Sequence, residues 1–557
     1  MAVLPMENLT SEPSLDWMER AVAAVVASVV SGSESLHAIR ADTRRDAANV
    51  RATQILHGYF VRAGGALRVT AHLEDLRTGR TTRVLTASAP ASGALALGQS
   101  LASQITSKPG SFSTTNQDAL RLYAESLGPA ATTEMLEKAL TADPNFSDAR
   151  WLLAQSRLAR GDAATALQLA LEKRSADARL EALTARIQGD RTALAAAQQK
   201  VAHLYPADSE AAGRAGDALI AVRRIPEAVE WYRKATALEP TLALMWNARA
   251  YAHAYAGDQE AARASLSEYG KLDPAGANPS DSLGEILFYF GRFDEAEKAF
   301  LAAHAKDPRF LGGATLAKAA ESALMRGASD DASKLALRFV EARRAAGDPA
   351  IGLWQAQWDH LTGRRPQAIE RVLQFAAGNE KTPDVAASGW IQAAVWKLLA
   401  GDRAGAADAA VRASAQAGSG NTRQLAAACR FLSQPPATAA EWSRRAQAES
   451  RPALAYALLL NGHYRESIAP MQEMLAQAHP NSNGLVKLVL AWALVESGRH
   501  AEAQPLLATH PLPSNGGWDA FYSLVFPRCF LLRAQVLEKS GDAAGAARQR
   551  ELFNKYR

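Results

Sequence analysis

Residues 277–308 read ANPSDSLGEILFYFGRFDEAEKAFLAAHAKDP, and this stretch decides the fold. Gly291 separates two helical stretches, because a left-handed backbone at the end of a helix costs little only for glycine or asparagine. Ala296 follows one turn into the second stretch, where two packed helices approach too closely for a larger side chain. Pro308 ends the second stretch, since proline cannot continue the hydrogen-bond ladder of a helix. The stretch therefore predicts one helix-turn-helix unit.

The same signals recur along the chain. Pro206, Pro240, Pro274 and Pro308 follow one another at intervals of 34 residues. A glycine followed five residues later by alanine marks the turns at Gly161/Ala166, Gly257/Ala262, Gly291/Ala296, Gly327/Ala332, Gly363/Ala368, Gly401/Ala406, Gly498/Ala503 and Gly541/Ala546. Looser versions occur at Gly128/Thr133, Gly189/Leu194, Arg223/Ala228, Ser433/Thr438 and Gly462/Ser467. These turns predict an array of helix pairs from about residue 113 to the C-terminus.

Two of the predicted units share small residues, an aromatic residue and a closing proline. These are Gly216, Ala228, Tyr232, Ala235 and Pro240 in one unit, and Gly284, Ala296, Phe300, Ala303 and Pro308 in the other. The pattern resembles the tetratricopeptide repeat (TPR) family. The resemblance implies a mainly α fold, a right-handed α-solenoid of TPR-like helix pairs preceded by a small α+β domain. Beyond Gly401 the repeats become irregular, with Pro435-Pro436 and an insert around Pro511 to Trp518.

The first hundred residues follow a different pattern. A strand at Ala2 to Met6 precedes a helical stripe from Leu15 to Val29, with Ser14 placed to cap the helix, and Leu36 to Ile39 reads as a second strand. Alternating strands follow on both sides of the turn at Gly64-Gly65. A strand around residues 82–86 and a helix at about 93–105 complete a small α+β domain. We predict four segments: the α+β domain in 1–106, a linker in 107–116, a regular TPR solenoid in 117–400 and degenerate TPR-like repeats in 401–557.

The first domain carries motifs of a known family. They are Ala2-Val3-Leu4-Pro5 with Glu7-Asn8-Leu9, then Leu15-Asp16-Trp17, the hairpin from Gly58 to Ala71, and Asp75 with Thr78-Gly79. They resemble the N-terminal domain of TolB-like and FlgO-like bacterial envelope proteins. In that family the domain often precedes TPR repeats, and the pair is commonly fused behind a transmembrane helix to a Ser/Thr kinase, a nucleotide cyclase or a winged-helix domain. Met6 departs from the family, which usually has an aromatic residue at that position.

Composition and motifs argue against chemistry in this chain. The 62 basic and 57 acidic residues are interspersed, so the net charge of +5 indicates a solvated surface and no nucleic acid is expected. Phosphate-loop, zinc-protease, nucleophile-elbow and kinase motifs are absent from the sequence, which predicts neither an enzyme nor a cofactor. Cys429 and Cys529 lie far apart in apolar runs, which favours core packing. His57 and His72 lie on adjacent predicted strands, but without a third ligand no metal site is predicted.

The candidate binding residues lie on the first helices of two repeats, which line the concave face in the TPR family. They are Asn247, Tyr251, Tyr255, Asn278, Asp281, Glu285, Phe288 and Tyr289. Aromatic residues interleaved with amides and carboxylates are typical of a peptide groove, although the aromatic residues serve equally well as packing between helices.

Three functions follow from these observations. The first is a non-enzymatic scaffold that binds a protein or peptide in a bacterial envelope or signalling assembly. The alternative is the sensory half of a larger kinase, cyclase or winged-helix regulator with its output domain upstream. An RNA-binding repeat ranks third, because Gly213, Asn247 and Asp281 show no recurring polar code. The chain is cytoplasmic if complete as given, and extracytoplasmic if it belongs to a membrane-anchored protein.

Overall fold

The computed structural model describes residues 1–91, 93–173, 177–446, 451–513 and 520–557. The chain forms two compact units, Met1–Met245 and Trp246–Arg557, which are called unit 1 and unit 2. The fold is mainly α, as the sequence predicts: helix pairs follow a small five-stranded sheet. Part of the predicted insert, residues 514–519, lies outside the described residues.

Unit 1 begins with the sheet. Its strands are β1 (Ala2–Asn8), β2 (Ile39–Arg40), β3 (Gln54–Ala63), β4 (Ala66–Asp75) and β5 (Arg80–Pro90). Their order is β2-β1-β3-β4-β5. Strand β1 runs parallel to β2 and β3, and the remaining pairs are antiparallel hairpins. The alternation in the sequence therefore predicts the hairpin correctly.

Three helices accompany the sheet: α1 (Trp17–Ser31), α2 (Arg44–Asn49) and α3 (Ala94–Ile105). Helices α1 and α3 pack together over the sheet and bury its core. The predicted cap at Ser14 is wrong, because Ser14 lies in a separate 3-10 turn and α1 starts after Asp16. The strand predicted at residues 36–39 is also displaced, since the parallel pairing with β1 covers only Ile39 and Arg40.

The helix pairs of unit 1 follow. They are α4 (Gln117–Glu125), α5 (Thr133–Ala142), α6 (Ser147–Ala159), α7 (Ala163–Glu172), α8 (Ala178–Gln188), α9 (Arg191–Leu204), α10 (Ser209–Ala221) and α11 (Ile225–Leu238). Helix α12 (Ala243–Tyr255) contains the boundary between the units. From α4 onward, even-numbered helices are the first helices of the pairs and odd-numbered helices are the second.

Unit 2 continues the pattern to the C-terminus. Its helices are α13 (Gln259–Leu272), α14 (Asn278–Tyr289), α15 (Phe293–Lys306), α16 (Ala314–Met325), α17 (Ser329–Ala345), α18 (Ile351–Leu361), α19 (Arg365–Gly378), α20 (Pro383–Leu399), α21 (Arg403–Gln416), α22 (Gly420–Leu432), α23 (Ala439–Ala446), α24 (Arg451–Leu460), α25 (Tyr464–Gln477), α26 (Gly484–Glu496), α27 (His500–Leu507), α28 (Arg528–Lys539) and α29 (Ala543–Tyr556). A 3-10 helix, Ala520–Leu524, precedes α28.

The predicted turns adopt the backbone that the glycine signal requires. Positive φ values occur at Gly161, Gly189, Gly257, Gly291, Gly327, Gly363, Gly401, Gly462, Gly498 and Gly541. Arg223 takes the same conformation, with φ of 62°, where the pattern lacks glycine. Two looser members differ: Ser433 is right-handed at its helix end, and Gly128 has no positive φ. The alanine positions are confirmed as close contacts, since Ala296 is fully buried.

The segment predicted as a linker is packed. Phe112 is buried, and its ring lies 6.4 Å from Tyr123 and 5.6 Å from Phe146. One hydrophobic core therefore runs from the sheet through α1 into the first helix pairs. The α+β part and these pairs consequently share unit 1, while the predicted division at residue 401 stays a prediction. Among the described helices, none combines the length and apolar character needed to span a bilayer.

Candidate functional site

Three of the predicted binding residues form a row of tyrosines on α12 and α14. The rings of Tyr251 and Tyr255 lie 6.2 Å apart, and those of Tyr255 and Tyr289 lie 6.1 Å apart. Tyr251 and Tyr255 are half-buried, so each keeps part of its ring at the surface. The row arises because residues four apart share one face of a helix, and the next first helix continues that face.

A buried ion network fixes one end of this row. The hydroxyl of Tyr251 donates to Glu285 Oε2 at 2.5 Å, and Lys318 Nζ donates to Glu285 Oε1 at 2.6 Å. Lys318 also donates to Asp281 Oδ2 at 2.7 Å, and the lysine side chain is fully buried. Two carboxylates thus share one ammonium group. A buried charge of this kind is tolerated only when it is paired.

The pKa values of Lys318 and Asp281 show how the network affects the charge of each group. Burial alone would lower the pKa of Lys318, but attraction to Glu285 and Asp281 outweighs it and raises that pKa, so the lysine stays charged. Burial raises the pKa of Asp281 to about 6, and repulsion from Glu285 adds to the effect. Among the described residues, Asp281 Oδ1 has no hydrogen-bond partner. Asp281 is therefore held by one charged hydrogen bond, from Lys318 to Oδ2.

Three predicted residues are less accessible than the sequence analysis expects. Asp281, Phe288 and Tyr289 are all buried. The ring of Phe288 lies 5.1 Å from Phe293 and 6.3 Å from His510. The backbone N–H of His510 donates to the carbonyl oxygen of Tyr289 at 2.8 Å. Lys318 and residues far along the chain cover these three residues. For Phe288 and Tyr289 this is the packing role that the sequence analysis leaves open.

The two asparagines remain half-buried. Asn278 donates to the hydroxyl of Tyr269 at 2.8 Å, which commits its amide to the neighbouring helix. Asn247 Oδ1 is buried and, within the described part of the chain, accepts no hydrogen bond. Partner contact by any of the eight residues stays a prediction.

Farther along unit 2, the end of the chain covers the first helix α16. Every residue of α16 is buried, including Glu321 and Ser322. The hydroxyl of Tyr556 donates to the carbonyl oxygen of Leu324 at 2.9 Å, and Lys555 donates to that of Gly327 at 2.6 Å. We call residues 552–556 the C-terminal clasp. It closes on α16 from more than two hundred positions away in sequence.

A second internal segment covers α20. Gln392 donates to the carbonyl oxygen of Ala520 at 3.3 Å, and Trp396 Nε1 donates to the hydroxyl of Ser523 at 3.2 Å. The ring of His360 on α18 stacks on Trp396 with centroids 4.6 Å apart. Burial lowers the pKa of His360 to about 3. Helix α20 thus already holds a segment of the same chain through one tryptophan and one amide donor.

Sequence reasoning missed a cleft in unit 1. A cavity of about 530 Å³ opens between α1, the segment 37–40 and the first helices α6, α8 and α10. We call it the arginine cleft, after Arg40, Arg179, Arg186 and Arg214 in its lining. One signal is present in the sequence: Arg179 and Arg186 are seven residues apart and so share a face of α8. The contribution of Arg40, on β2, depends on tertiary packing.

The two histidines on the sheet lie next to each other, and one of them, His57, lies beside the ion pair of Arg44 and Glu74. The rings of His57 and His72 stack 5.7 Å apart. Glu74 accepts from Arg44 at 2.7 and 2.5 Å, and its Oε2 lies 3.2 Å from His57 Nε2. These contacts, led by the Arg44 hydrogen bonds, lower the pKa of Glu74 to about 2. Over the described residues, no cluster of three or more His, Cys, Asp or Glu side chains is arranged to hold a metal.

No known protein family and no curated protein matches the sequence. Parts of the chain are similar to solved structures. MamA is 21% identical over 29% of this chain and 88% of its own, with a TM-score of 0.27. PilF of Pseudomonas aeruginosa is 17% identical over 39% and 95%, with a TM-score of 0.28. YrrB, described as a TPR protein with an unusual peptide-binding site, is 15% identical over 38% and 94%, with a TM-score of 0.26.

Proposed function

We propose that this chain is a non-enzymatic scaffold that binds a protein or peptide segment along α12 and α14. The observation that carries the proposal is the half-buried tyrosine pair, Tyr251 and Tyr255. The Glu285–Lys318 ion pair holds the hydroxyl of Tyr251, and the ring of Tyr255 lies 6.2 Å from that of Tyr251. Tyrosine offers a large contact area and a polar tip while losing little side-chain entropy. Because the rings are fixed before binding, a partner would not have to order them.

A neighbouring acceptor supports the same surface. Asn247 lies four residues before Tyr251 on one face of α12, and its buried Oδ1 accepts no hydrogen bond among the described residues. A donor from a partner reaches this buried oxygen only if the half-buried side chain turns outward. The missing hydrogen bond lowers the cost of that turn, because the oxygen gains a partner on binding. A backbone N–H of an extended segment has the required chemistry.

Unit 2 supplies an internal example of this kind of binding. Helix α20, the first helix of one of its repeats, holds residues 520–524. Two side-chain donors of α20 reach a backbone carbonyl and a hydroxyl of that segment. The same chemistry on α12 and α14 would hold a segment of another protein. Because such contacts read the backbone as much as the side chains, we propose an extended or irregular segment as the partner.

The finer role rests on the first domain. Residues that resemble the TolB-like and FlgO-like family lie in β1, β3 and β4 and in the turn at Gly79. On that resemblance we propose a place in a bacterial envelope or signalling assembly. The alternative is the sensory half of a kinase, cyclase or winged-helix regulator. The coding sequence before Met1 tests the alternative: a hydrophobic span preceded by one of those domains supports it, and a different gene directly upstream contradicts it.

The binding proposal is tested with a displayed library of random peptides, selected on the full chain. Tyr255→Ala should weaken the selected peptides about tenfold, because hot-spot tyrosines commonly contribute one to two kcal/mol or more. Tyr59→Ala, which alters a half-buried tyrosine on β3, is the control and should leave binding unchanged. Equal affinity of wild type and Tyr255→Ala for every selected peptide would move the binding surface away from α12.

A further inference from the structure

The carboxylates that line or border the arginine cleft are already committed. Asp148 accepts from Arg179 at 2.8 Å and from the hydroxyl of Ser113 at 2.5 Å. Asp177 beside it accepts from Arg179 at 2.6 Å. Asp208 accepts the backbone N–H of Ala211 at 2.9 Å and so caps α10. The negative charges of the cleft are therefore neutralised within the protein.

Of the four arginines that line the cleft, two are paired with carboxylates. Arg179 is bound to two carboxylates, and Arg214 lies 3.5 Å from Asp208 and 3.3 Å from Glu210. By contrast, the guanidinium groups of Arg40 and Arg186 have no hydrogen-bond or ion-pair partner among the described residues. Arg40 is half-buried on the α+β side, and Arg186 is exposed at the rim on α8. The uncommitted charge of the cleft is positive.

The walls between these arginines carry aromatic rings. Trp151, Tyr123 and Tyr205 line the cavity, and all three are half-buried. Burial raises the pKa of both tyrosines, so their phenols remain neutral and can donate hydrogen bonds. Such rings offer flat apolar surfaces together with polar tips.

The lining of the cleft also contains a buried polar nitrogen atom. Nδ1 of His37, another lining residue, has no hydrogen-bond partner among the residues that the structure describes. Burial lowers the pKa of this histidine, which keeps the ring neutral, so that Nδ1 can either accept or donate one hydrogen bond according to the tautomer. The cavity volume of about 530 Å³ falls within the range of small-molecule sites.

We propose that the arginine cleft binds a small planar molecule that bears one carboxylate or phosphate group. Arg40 pairs with the acidic group, since a guanidinium matches either oxyanion with two parallel hydrogen bonds. Arg186 closes on the ligand from the rim. The ring system of the ligand lies against Trp151 and the two tyrosines. This site lies wholly within unit 1 and does not depend on the tyrosine row of unit 2.

The test is isothermal titration calorimetry on the full chain with three probes that share one ring system. 2-Naphthoate carries a carboxylate, 2-naphthyl phosphate carries a phosphate, and 2-naphthylmethylammonium carries a positive charge. At least one of the two anions should bind with one site per chain, and the cation should not bind. The tighter of the two anions identifies the acidic group that the cleft selects.

Three variants connect the binding to the cleft. Arg40→Gln should weaken the bound anion about tenfold and Arg186→Gln about threefold, because each removes a charged donor. Arg68→Gln, at an exposed arginine of β4 outside the lining, should leave the affinity unchanged. Thermal melting checks that each variant is folded, and if Arg40→Gln is not, the exposed Arg186→Gln decides alone. Failure of both anions to saturate, equal binding of the cation, or full affinity in the folded variants would overturn the proposal.

Discussion

The first helices of the repeats have different surroundings in the two units. In unit 2, α16 is buried on every side, and the C-terminal clasp and residues 520–524 lie on α16 and α20. In unit 1, α6, α8 and α10 border an open cavity of about 530 Å³, and two of its arginines have no ion-pair partner in the part of the chain that the structure describes. The same repeat architecture therefore produces a filled groove in one unit and an open cleft in the other.

The difference shows what a repeat pattern does and does not determine. Glycine, alanine and proline positions set the helices and turns, and those signals are the same in both units. What covers a first helix depends on whether the chain returns to it. Filled grooves contribute to stability, whereas open clefts remain available to ligands. Substitutions in the two places should accordingly differ in kind.

The largest difference is expected at the buried lysine. Lys318→Ala leaves the buried Asp281 and the half-buried Glu285 without their cation, and removing one partner of a buried ion pair costs about 3–5 kcal/mol. Arg186→Ala in the arginine cleft should change the free energy of unfolding by less than about 0.5 kcal/mol, as for other exposed positions. Urea unfolding of the full chain measures both. Similar losses from the two substitutions would contradict the distinction between filled and open surfaces.

The C-terminal clasp should account for the next largest effect. Tyr556→Ala removes a fully buried ring that packs against Phe526 and Phe530, at a cost of roughly 3 kcal/mol. Tyr556→Phe keeps the ring and removes the hydroxyl, which donates to the carbonyl oxygen of Leu324 and accepts from Ser329 Oγ at 3.3 Å. This change should cost about 1 kcal/mol. Thermal melting distinguishes the two variants. If Tyr556→Ala melts like wild type, the clasp does not close on α16 in solution.

The close approach of a glycine to an aromatic ring should respond alike to substitution in both units. A Cβ at Gly284 would lie 2.5 Å from the ring of Phe300, and a Cβ at Gly216 would lie 2.8 Å from that of Tyr232. Alanine at either position forces neighbouring groups apart and should cost about 2 kcal/mol. Denaturant midpoints of the two variants test this. A large effect in only one unit would mean that the two repeats pack differently.

The smallest effect is a dependence on pH. His360 is buried with its pKa lowered to about 3, whereas an exposed histidine titrates near 6.5. Between these values His360 binds a proton in the unfolded chain but not in the folded chain, so the contribution of His360 to stability falls as the pH decreases from 6.5 toward 3. Over the interval from pH 6.5 to 5.5 the expected loss is about 1 kcal/mol, because the histidine of the unfolded chain is already half protonated at pH 6.5. His360→Gln should reduce this slope, and unfolding titrations at pH 6.5 and 5.5 measure it. An identical slope in the variant would mean that His360 is accessible to protons.

Much of the fold could be predicted because its signals are local. Gly291 and Ala296 lie five residues apart, and the backbone demand at one and the close contact at the other are properties of a single turn. The candidate site was harder to predict. The sequence places Asp281 on the groove side of its own helix, but Lys318 covers it from a different repeat. Burial of that kind depends on partners distant in sequence, which periodicity does not reveal.

The C-terminal clasp also bears on how fast unit 2 folds. In an open array each repeat contacts only its neighbours, so folding proceeds through short-range contacts. The bond between Tyr556 and Leu324 joins residues 232 positions apart. Closing such a loop costs about 1.7 kcal/mol more entropy than closing one of about 34 residues, since the cost grows with the logarithm of loop length. We therefore expect a slow final phase in the refolding of unit 2, in which the chain end joins helices that have already formed.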